Sequence, residues 1–295
     1  MKLVRFSAHT LITNETDAYF RLGLWEDKTI FDLTESNPEV FGSITQFLQQ
    51  DDPVAVINEA KSRARPIHID LTEIQAPLDF QEVWAASVTY DRDCDARVSR
   101  TGNANTGATL QGAYQAKRPV LFFKATPDRV VGHNREVHMR KDSQWSVPEP
   151  SLALVISPSA RLVGFSIGND ISSRDIEDEN PFFQPQARIY RQSCAIGPAI
   201  LIADTVTDPG ALAIQLSILR DKNLVFEGKT TVSEMRRSFD ELIEYLTREN
   251  DFLNGVYLLT GNGIVLPDSL SLQPGDRIEV TIPEIGTLSN TVAVE

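Results

Sequence analysis

Cysteine and histidine are scarce in this sequence, which has two cysteines and four histidines among 295 residues. Cys94 and Cys194 lie far apart and form no CxxC pair, so no disulfide framework is expected and a reducing compartment is compatible. The histidines form no HExxH motif or other close ligand spacing. A zinc site of nitrogen and sulfur ligands is therefore not expected.

Basic residues are also fewer than acidic ones. The chain has 28 lysines and arginines against 41 aspartates and glutamates, which gives a formal charge of −13. Nucleic acids and anionic membranes bind basic surfaces, so neither is an expected partner. A carboxylate substrate would have to be held locally, by a metal ion or by a few lysines and arginines.

Long apolar runs are missing as well. The first residues, MKLVRFSAHTLI, lack the apolar core of a signal peptide, and no stretch approaches membrane-spanning length. We expect a soluble, cytoplasmic protein. There is no internal repeat and no low-complexity tract.

The order of strand and helix patterns predicts two domains. Residues 1–78 mix short strands with short helices, one in SITQFLQQ and one beginning near Pro53, and predict a small N-terminal α/β domain. Residues 79–295 are mostly strands separated by glycines and prolines, which is typical of antiparallel hairpins. In TVSE, a capping box predicts a helix with Thr231 as its N-cap. The predicted fold class is α+β, with a rolled, barrel-like mixed sheet in the larger domain.

Two apolar segments predict one hairpin with acids at its open end. If LALVIS and LVGFSIGND are joined by the loop PSAR, Ser157 faces Leu162 and Glu149 faces Asp170. Directly opposed residues lie on one face of a sheet with their Cβ atoms about 5 Å apart. Ser151 is then one step further in on the same face.

Two carboxylates this close repel each other unless a positive charge lies between them or one is protonated. A hard divalent cation such as Mg²⁺, which one or two carboxylates and water often hold, is one solution. The side chains of Lys124 and Arg174 are alternative countercharges. The spacing leaves both possibilities open.

Several motifs in the same order resemble the fumarylacetoacetate hydrolase superfamily. The main ones are VPEPSLALVIS and LVGFSIGNDISSRDIEDENPFFQPQARIYRQSCAIGP, with EVWAASVTYDR, RPVLFFKATPDRVVG, SEMRRSFDELIEYLTRENDF and GVYLLTGNGIVLP around them. The sequence is especially similar to the branch of 2-keto-3-deoxy sugar acid dehydratases, of arabinonate and xylonate type. This resemblance implies a homodimer or homotetramer and a bound Mg²⁺ or Mn²⁺. It also implies enolate chemistry on a small 2-oxo acid, with no nucleic acid or membrane partner.

The family's metal motif is Glu-x-Glu followed by a distant Asp. Only part of this motif is present in this sequence. Glu149 and Asp170 match its first and last acids, whereas Ser151 stands where the second glutamate is expected. The resemblance therefore implies a metal that is bound weakly or not at all. Val120 replaces a further glutamate of the dehydratase branch, and Arg188 replaces a lysine.

The resemblance also suggests roles for other side chains. Lys124, Arg188 and Glu149 are the expected catalytic residues, although an arginine is a poor acid or base because it stays protonated. The expected substrate contacts lie in the polar segment after Asp170 and in LLTGNG: Ser172, Arg174, Asp175, Phe183 (a tyrosine in the branch), Gln186 and Thr260. A replacement base would come from Glu177, Asp178 and Glu179 or from Asp91, Asp93 and Asp95.

Dehydration of a 2-keto-3-deoxy sugar acid by a hydro-lyase is the leading functional prediction. The alternatives are an isomerase or tautomerase, a decarboxylase, or a C–C hydrolase acting on another dicarbonyl. A catalytically silent paralogue that binds a metabolite is a further alternative.

Overall fold

A computed structural model describes residues 1–8, 20–100 and 111–294 of the chain. Five residues of the second range are described by their backbone alone: Asp93, Cys94, Ala96, Arg97 and Arg100. Asp93, one of the replacement bases considered above, therefore has its side chain outside the described part.

The described residues form 17 strands. They are β1 (Lys2–Ala8), β2 (Arg21–Glu26), β3 (Thr29–Asp32), β4 (Arg65–His68), β5 (Thr72–Gln75), β6 (Glu82–Ser87), β7 (Val120–Ala125), β8 (Val130–Val131), β9 (Glu136–Val137), β10 (Ser146–Ile156), β11 (Leu162–Ser173), β12 (Cys194–Ile202), β13 (Ala213–Arg220), β14 (Asn223–Thr231), β15 (Val256–Leu259), β16 (Arg277–Ile282) and β17 (Gly286–Val292).

The helices are short. They are α1 (Leu33–Ser36), α2 (Pro38–Phe41), α3 (Ile44–Leu48), α4 (Pro53–Lys61), α5 (Asp91–Arg100), α6 (Arg174–Glu179), α7 (Gln184–Arg188) and α8 (Phe239–Thr247), and residues 111–115 are also helical. Within the described ranges, no helix is long and apolar enough to cross a membrane.

Two sheets carry the fold. A 12-stranded mixed sheet runs in the order β4-β3-β2-β1-β12-β11-β10-β15-β6-β7, with β5 beside β1 and β8 beside β12. A five-stranded sheet has the order β14-β13-β16-β17-β9. The predicted α+β class is confirmed, but among the described strands the large sheet ends at β4 and β7 and does not close into a barrel.

Strands from residues 1–78 join the large sheet, because β1 pairs with β12. The two helices predicted in this region are confirmed as α3 and α4, and Asp52 caps the second by accepting a hydrogen bond from the Ala55 amide at 2.9 Å. The boundary at residue 78 stays a prediction.

The helix predicted after Thr231 is interrupted. The capping box is present, with the Thr231 amide donating to Glu234 at 3.3 Å, but it starts only a 3₁₀ turn over Val232–Glu234. Met235 then bridges to Tyr90, and α8 begins again after a second cap, Ser238. The tertiary contact at Met235 overrides the local helical pattern.

Strands β10 and β11 form the centre of the large sheet, with both faces covered. Leu152 and Leu154 pack in the core shared with the five-stranded sheet, whereas Ala153 and Val155 pack in the core that includes the N-terminal helices. Pro148 and Pro150 lie within β10 rather than before it. They are tolerated because β15 pairs with β10 only over Ala153–Ile156, so the missing amides cost no ladder bond on that edge.

The predicted hairpin register is confirmed at its open end. Glu149 is paired with Asp170 and Ser151 with Gly168. The turn differs, because a register shift between Val155 and Ile156 pairs Ile156, not Ser157, with Leu162. This irregularity lies beyond the acids and leaves their pairing unchanged.

The segment after Asp170 is more regular than its sequence indicates. It continues β11 to Ser173 and then forms α6, a 3₁₀ turn at Pro181–Phe183, and α7. These turns are too short to show a helical period, and two of them have a proline at their first or second residue, Pro181 and Pro185. They bring Arg174, Glu177 and Arg188 back to the open end of the hairpin.

Candidate active site

Six charged side chains converge at the open end of the β10–β11 hairpin. We call them the charge cluster: Lys124, Glu149, Asp170, Arg174, Glu177 and Arg188. Arg188 lies at its centre, with its side chain only 1% exposed. Its Nη1 donates to Glu149 Oε2 at 2.8 Å and to Asp170 Oδ2 at 2.7 Å. The guanidinium therefore lies directly between the two paired acids.

The other donors of Arg188 also point to carboxylates. Nη2 donates to Glu149 Oε1 at 3.0 Å and to Glu177 Oε2 at 2.9 Å, and Nε donates to Glu177 Oε1 at 3.3 Å. A guanidinium has five N–H groups, and these contacts involve all three of its nitrogens. Arg188 thus binds three carboxylates of the protein itself.

Two further cations complete the cluster. Lys124 Nζ lies 2.5 Å from Asp170 Oδ1, and Arg174 Nη2 lies 2.6 Å from Glu149 Oε1. Lys124 also donates to Ser193 Oγ at 3.1 Å and to the Arg188 carbonyl. Both alternative countercharges named from the sequence are therefore present, each on a different acid. If all six groups are ionised, the three positive and three negative charges cancel.

Strand β7 supplies Lys124 to the charge cluster and Phe122 to its edge. The register between β6 and β7 shifts opposite Phe123–Ala125, so simple alternation along β7 does not by itself place Lys124. The Phe122 ring lies 5.5 Å from the Arg188 guanidinium, a cation–π contact that the sequence reasoning missed. This contact depends on where α7 returns to the hairpin, which the sequence of β7 does not indicate.

Burial and charge act in opposite directions on Arg188. Burial alone lowers its pKa, but Glu149, Glu177 and Asp170 outweigh burial and hold the pKa well above its usual value. Arg188 is therefore a permanent cation, with no role as acid or base. Cys194 is paired with Asp170 across β11 and β12. Burial raises the pKa of its thiol to about 12, so the thiol stays protonated and is no nucleophile.

The donor set does not fit a Mg²⁺ ion. Mg²⁺ requires oxygen ligands at about 2.0–2.1 Å in octahedral geometry, whereas Arg188 Nη1 fills the space between Glu149 and Asp170. Ser151 offers no charge, and its hydroxyl donates to the Gly261 carbonyl at 3.0 Å. Among the side chains that the structure describes, no group of three or more His, Cys, Asp or Glu is placed to hold a metal.

Comparison with known proteins decides the family. The model of the fumarylacetoacetate (FAA) hydrolase C-terminal domain matches residues 94–293. A probable 2-keto-3-deoxyxylonate dehydratase of Haloferax volcanii is 37% identical over 92% of this chain and 95% of its own. This chain belongs to the fumarylacetoacetate hydrolase superfamily.

Two other members of the superfamily point to the same branch. A 2-dehydro-3-deoxy-D-arabinonate dehydratase of Saccharolobus solfataricus is 38% identical over 79% of this chain and 78% of its own. A solved 2-keto-3-deoxy-D-arabinonate dehydratase has a TM-score of 0.81 at 31% identity, covering 99% of both chains. That structure is complexed with magnesium and 2,5-dioxopentanoate. Magnesium is thus found in the superfamily, whereas this chain has Arg188 between its two acids.

The remaining residues predicted to bind substrate fall into two groups. Arg174 is part of the charge cluster, and the Ser172 hydroxyl contacts it by donating to Glu177 Oε2 at 3.3 Å. Thr260 is buried close by, but its hydroxyl donates to the Leu152 carbonyl at 3.0 Å and so holds β10 in place.

The second group, Asp175, Phe183 and Gln186, is not part of the charge cluster. Asp175 accepts hydrogen bonds from the Ser143 hydroxyl and the Gln144 amide, both at 2.6 Å, and anchors that loop. Phe183 is half-buried in the 3₁₀ turn between α6 and α7, and Gln186 is exposed within α7. Substrate roles for these residues stay predictions.

Glu177 is the acid of the charge cluster that the motif matching did not place. Its side chain is 14% exposed, against 7% for Glu149 and 4% for Asp170. The signal for it was its position one helical turn after Arg174, which puts both on the same side of α6.

Proposed function

We propose that this chain is a hydro-lyase that removes water from a 2-keto-3-deoxy sugar acid to give a 2-oxo acid semialdehyde. The observation that carries the proposal is the buried charge cluster at the end of the β10–β11 hairpin, in a chain 37% identical to a probable dehydratase of such an acid. We also propose that Mg²⁺ binds weakly or not at all, as the resemblance led us to expect from Ser151 and as Arg188 between the two acids supports.

The reaction makes three demands on the protein. The C3 proton beside the ketone must be removed, the resulting enolate needs nearby positive charge, and the C4 hydroxyl must leave with a proton as water. Lys124, Arg174 and Arg188 place three positive groups at a largely buried site, where a substrate carboxylate or enolate could pair with them. In such surroundings charge–charge interactions are much stronger than in water.

Glu177 is the group we assign as the base. Of the three carboxylates in the charge cluster it is the most exposed, and it lies against the Nε and Nη2 edge of Arg188. A substrate carboxylate has the same shape as the Glu177 carboxylate and can exchange with it on that edge. A carboxylate released from a guanidinium is a stronger base, so substrate binding itself would activate Glu177.

The test uses a matched pair of substitutions in α6. Glu177→Gln removes the base, whereas Glu179→Gln makes the same change at an exposed position of the same helix. With 2-keto-3-deoxypentonates in D₂O, NMR follows both deuterium uptake at C3 and formation of the semialdehyde. We expect Glu177→Gln to slow both by about 10²–10⁴-fold, the usual effect of removing a general base.

Glu179→Gln should retain the wild-type rate. Equal rates for Glu177→Gln and the wild type would remove Glu177 from the mechanism. If the wild type exchanges no C3 proton in any 2-keto-3-deoxy acid, the proposed reaction is wrong.

A further inference from the structure

We propose that the guanidinium of Arg188 permanently replaces the divalent cation in this active site, so that the site needs no metal. This inference concerns the charge cluster and does not depend on the reaction proposed above. It goes beyond the loss of a ligand at Ser151, because it assigns the cation's position and charge to a side chain of the protein.

The Arg188 guanidinium occupies the position that a metal ion would take. One nitrogen, Arg188 Nη1, lies within hydrogen-bonding distance of both paired acids, 2.8 Å from Glu149 and 2.7 Å from Asp170. A metal ion that ligated both acids would have to lie in this same space. Arg188 is fully buried, and its carbonyl accepts a hydrogen bond from Lys124, so the backbone is tied to the site as well.

The net charge of the charge cluster also disfavours a metal ion. If all six groups are ionised, they sum to zero with Arg188 present, and an added Mg²⁺ would leave two buried positive charges uncompensated. Without the guanidinium the described groups sum to −1, and a glutamate at position 151 would bring them to −2. A divalent cation would then neutralise the site.

Four versions of the protein separate the effect of Arg188 from that of Ser151. They are the wild type, Ser151→Glu, Arg188→Met, and the double variant S151E/R188M. Mn²⁺ serves as the probe, and its binding is measured without substrate by electron paramagnetic resonance and by the shift in melting temperature. The metal content of the purified wild-type protein is measured as well.

We expect the wild type to contain no stoichiometric metal and to show no melting shift with millimolar Mn²⁺. The double variant should bind one Mn²⁺ and gain stability from it. Its affinity should exceed that of the wild type by at least about tenfold for each of the two charge changes. Ser151→Glu alone should bind far more weakly than the double variant, because Arg188 still fills the position.

Two results would overturn the inference. The first is tight binding of one Mn²⁺ by the wild-type protein. This measurement does not depend on whether a variant folds. The second is a Ser151→Glu variant that binds as tightly as the double variant, since the missing glutamate alone would then explain the loss. Neither result bears on proton exchange at C3, so the proposed reaction stands or falls separately.

Discussion

Removing the central guanidinium should destabilise the fold strongly. Arg188→Met keeps an unbranched side chain but removes the partner shared by Glu149, Asp170 and Glu177. Only Lys124 and Arg174 then remain as described cations of the charge cluster. Removing one partner of a buried ion pair destabilises the fold by about 3–5 kcal/mol, because the remaining buried charge is left without a partner. We expect the free energy of unfolding at pH 8 to fall by that amount.

The loss of stability in Arg188→Met should depend on pH. Carboxylates that lose a buried cation have raised pKa values, so they take up protons more readily as the pH falls. Protonation removes the unpaired charge, and the loss of stability should therefore be smaller at pH 5 than at pH 8. Arg188 stays charged at both values in the wild type, since its pKa is raised.

Urea denaturation of the two proteins at each pH measures the difference. The matched control is Arg63→Met, at an arginine whose side chain is 59% exposed and pairs with Glu59 on the surface. This control should change stability by less than about 1 kcal/mol. A comparably small loss for Arg188→Met at pH 8 would show that the guanidinium is not held among buried carboxylates.

Two other features lead to direct tests. In a Cys94→Ser background the native protein should react only slowly with a thiol reagent at pH 8, since burial raises the pKa of Cys194 to about 12; a rate like that of a free thiol would contradict this placement. The chain should form a homodimer or homotetramer, with the exposed Leu224 and Val225 of β14, at 57% and 40% exposure, as part of the contact. Light scattering should then give a mass well above 32.8 kDa for the wild type and a lower mass for Leu224→Glu; a wild-type monomer would refute the assembly.

The pairing of Glu149 with Asp170 was predictable because it depends on local rules. Strand alternation and a short turn fix which residues face each other, and the irregularity at Ile156 lies too near the turn to disturb the acids. The α+β class and the family followed from motif order along the chain. These features need no knowledge of how distant segments pack.

The position of Arg188 was not predictable in the same way. It depends on where α7 returns against the hairpin, and segments as short as α6 and α7 show no period from which to place them. The helix predicted after Thr231 is present only from Phe239 onward. Its predicted start was wrong for a related reason, since the contact between Met235 and Tyr90 interrupts it. Contacts between distant segments decided both cases.

The central claim, a family active site whose cation is an arginine side chain, has one direct test. A crystal of the wild-type protein grown with millimolar MnCl₂ should show no anomalous scattering between Glu149 and Asp170, and continuous density for Arg188 in contact with both. An anomalous peak between these two acids, with the Arg188 side chain displaced, would contradict the account.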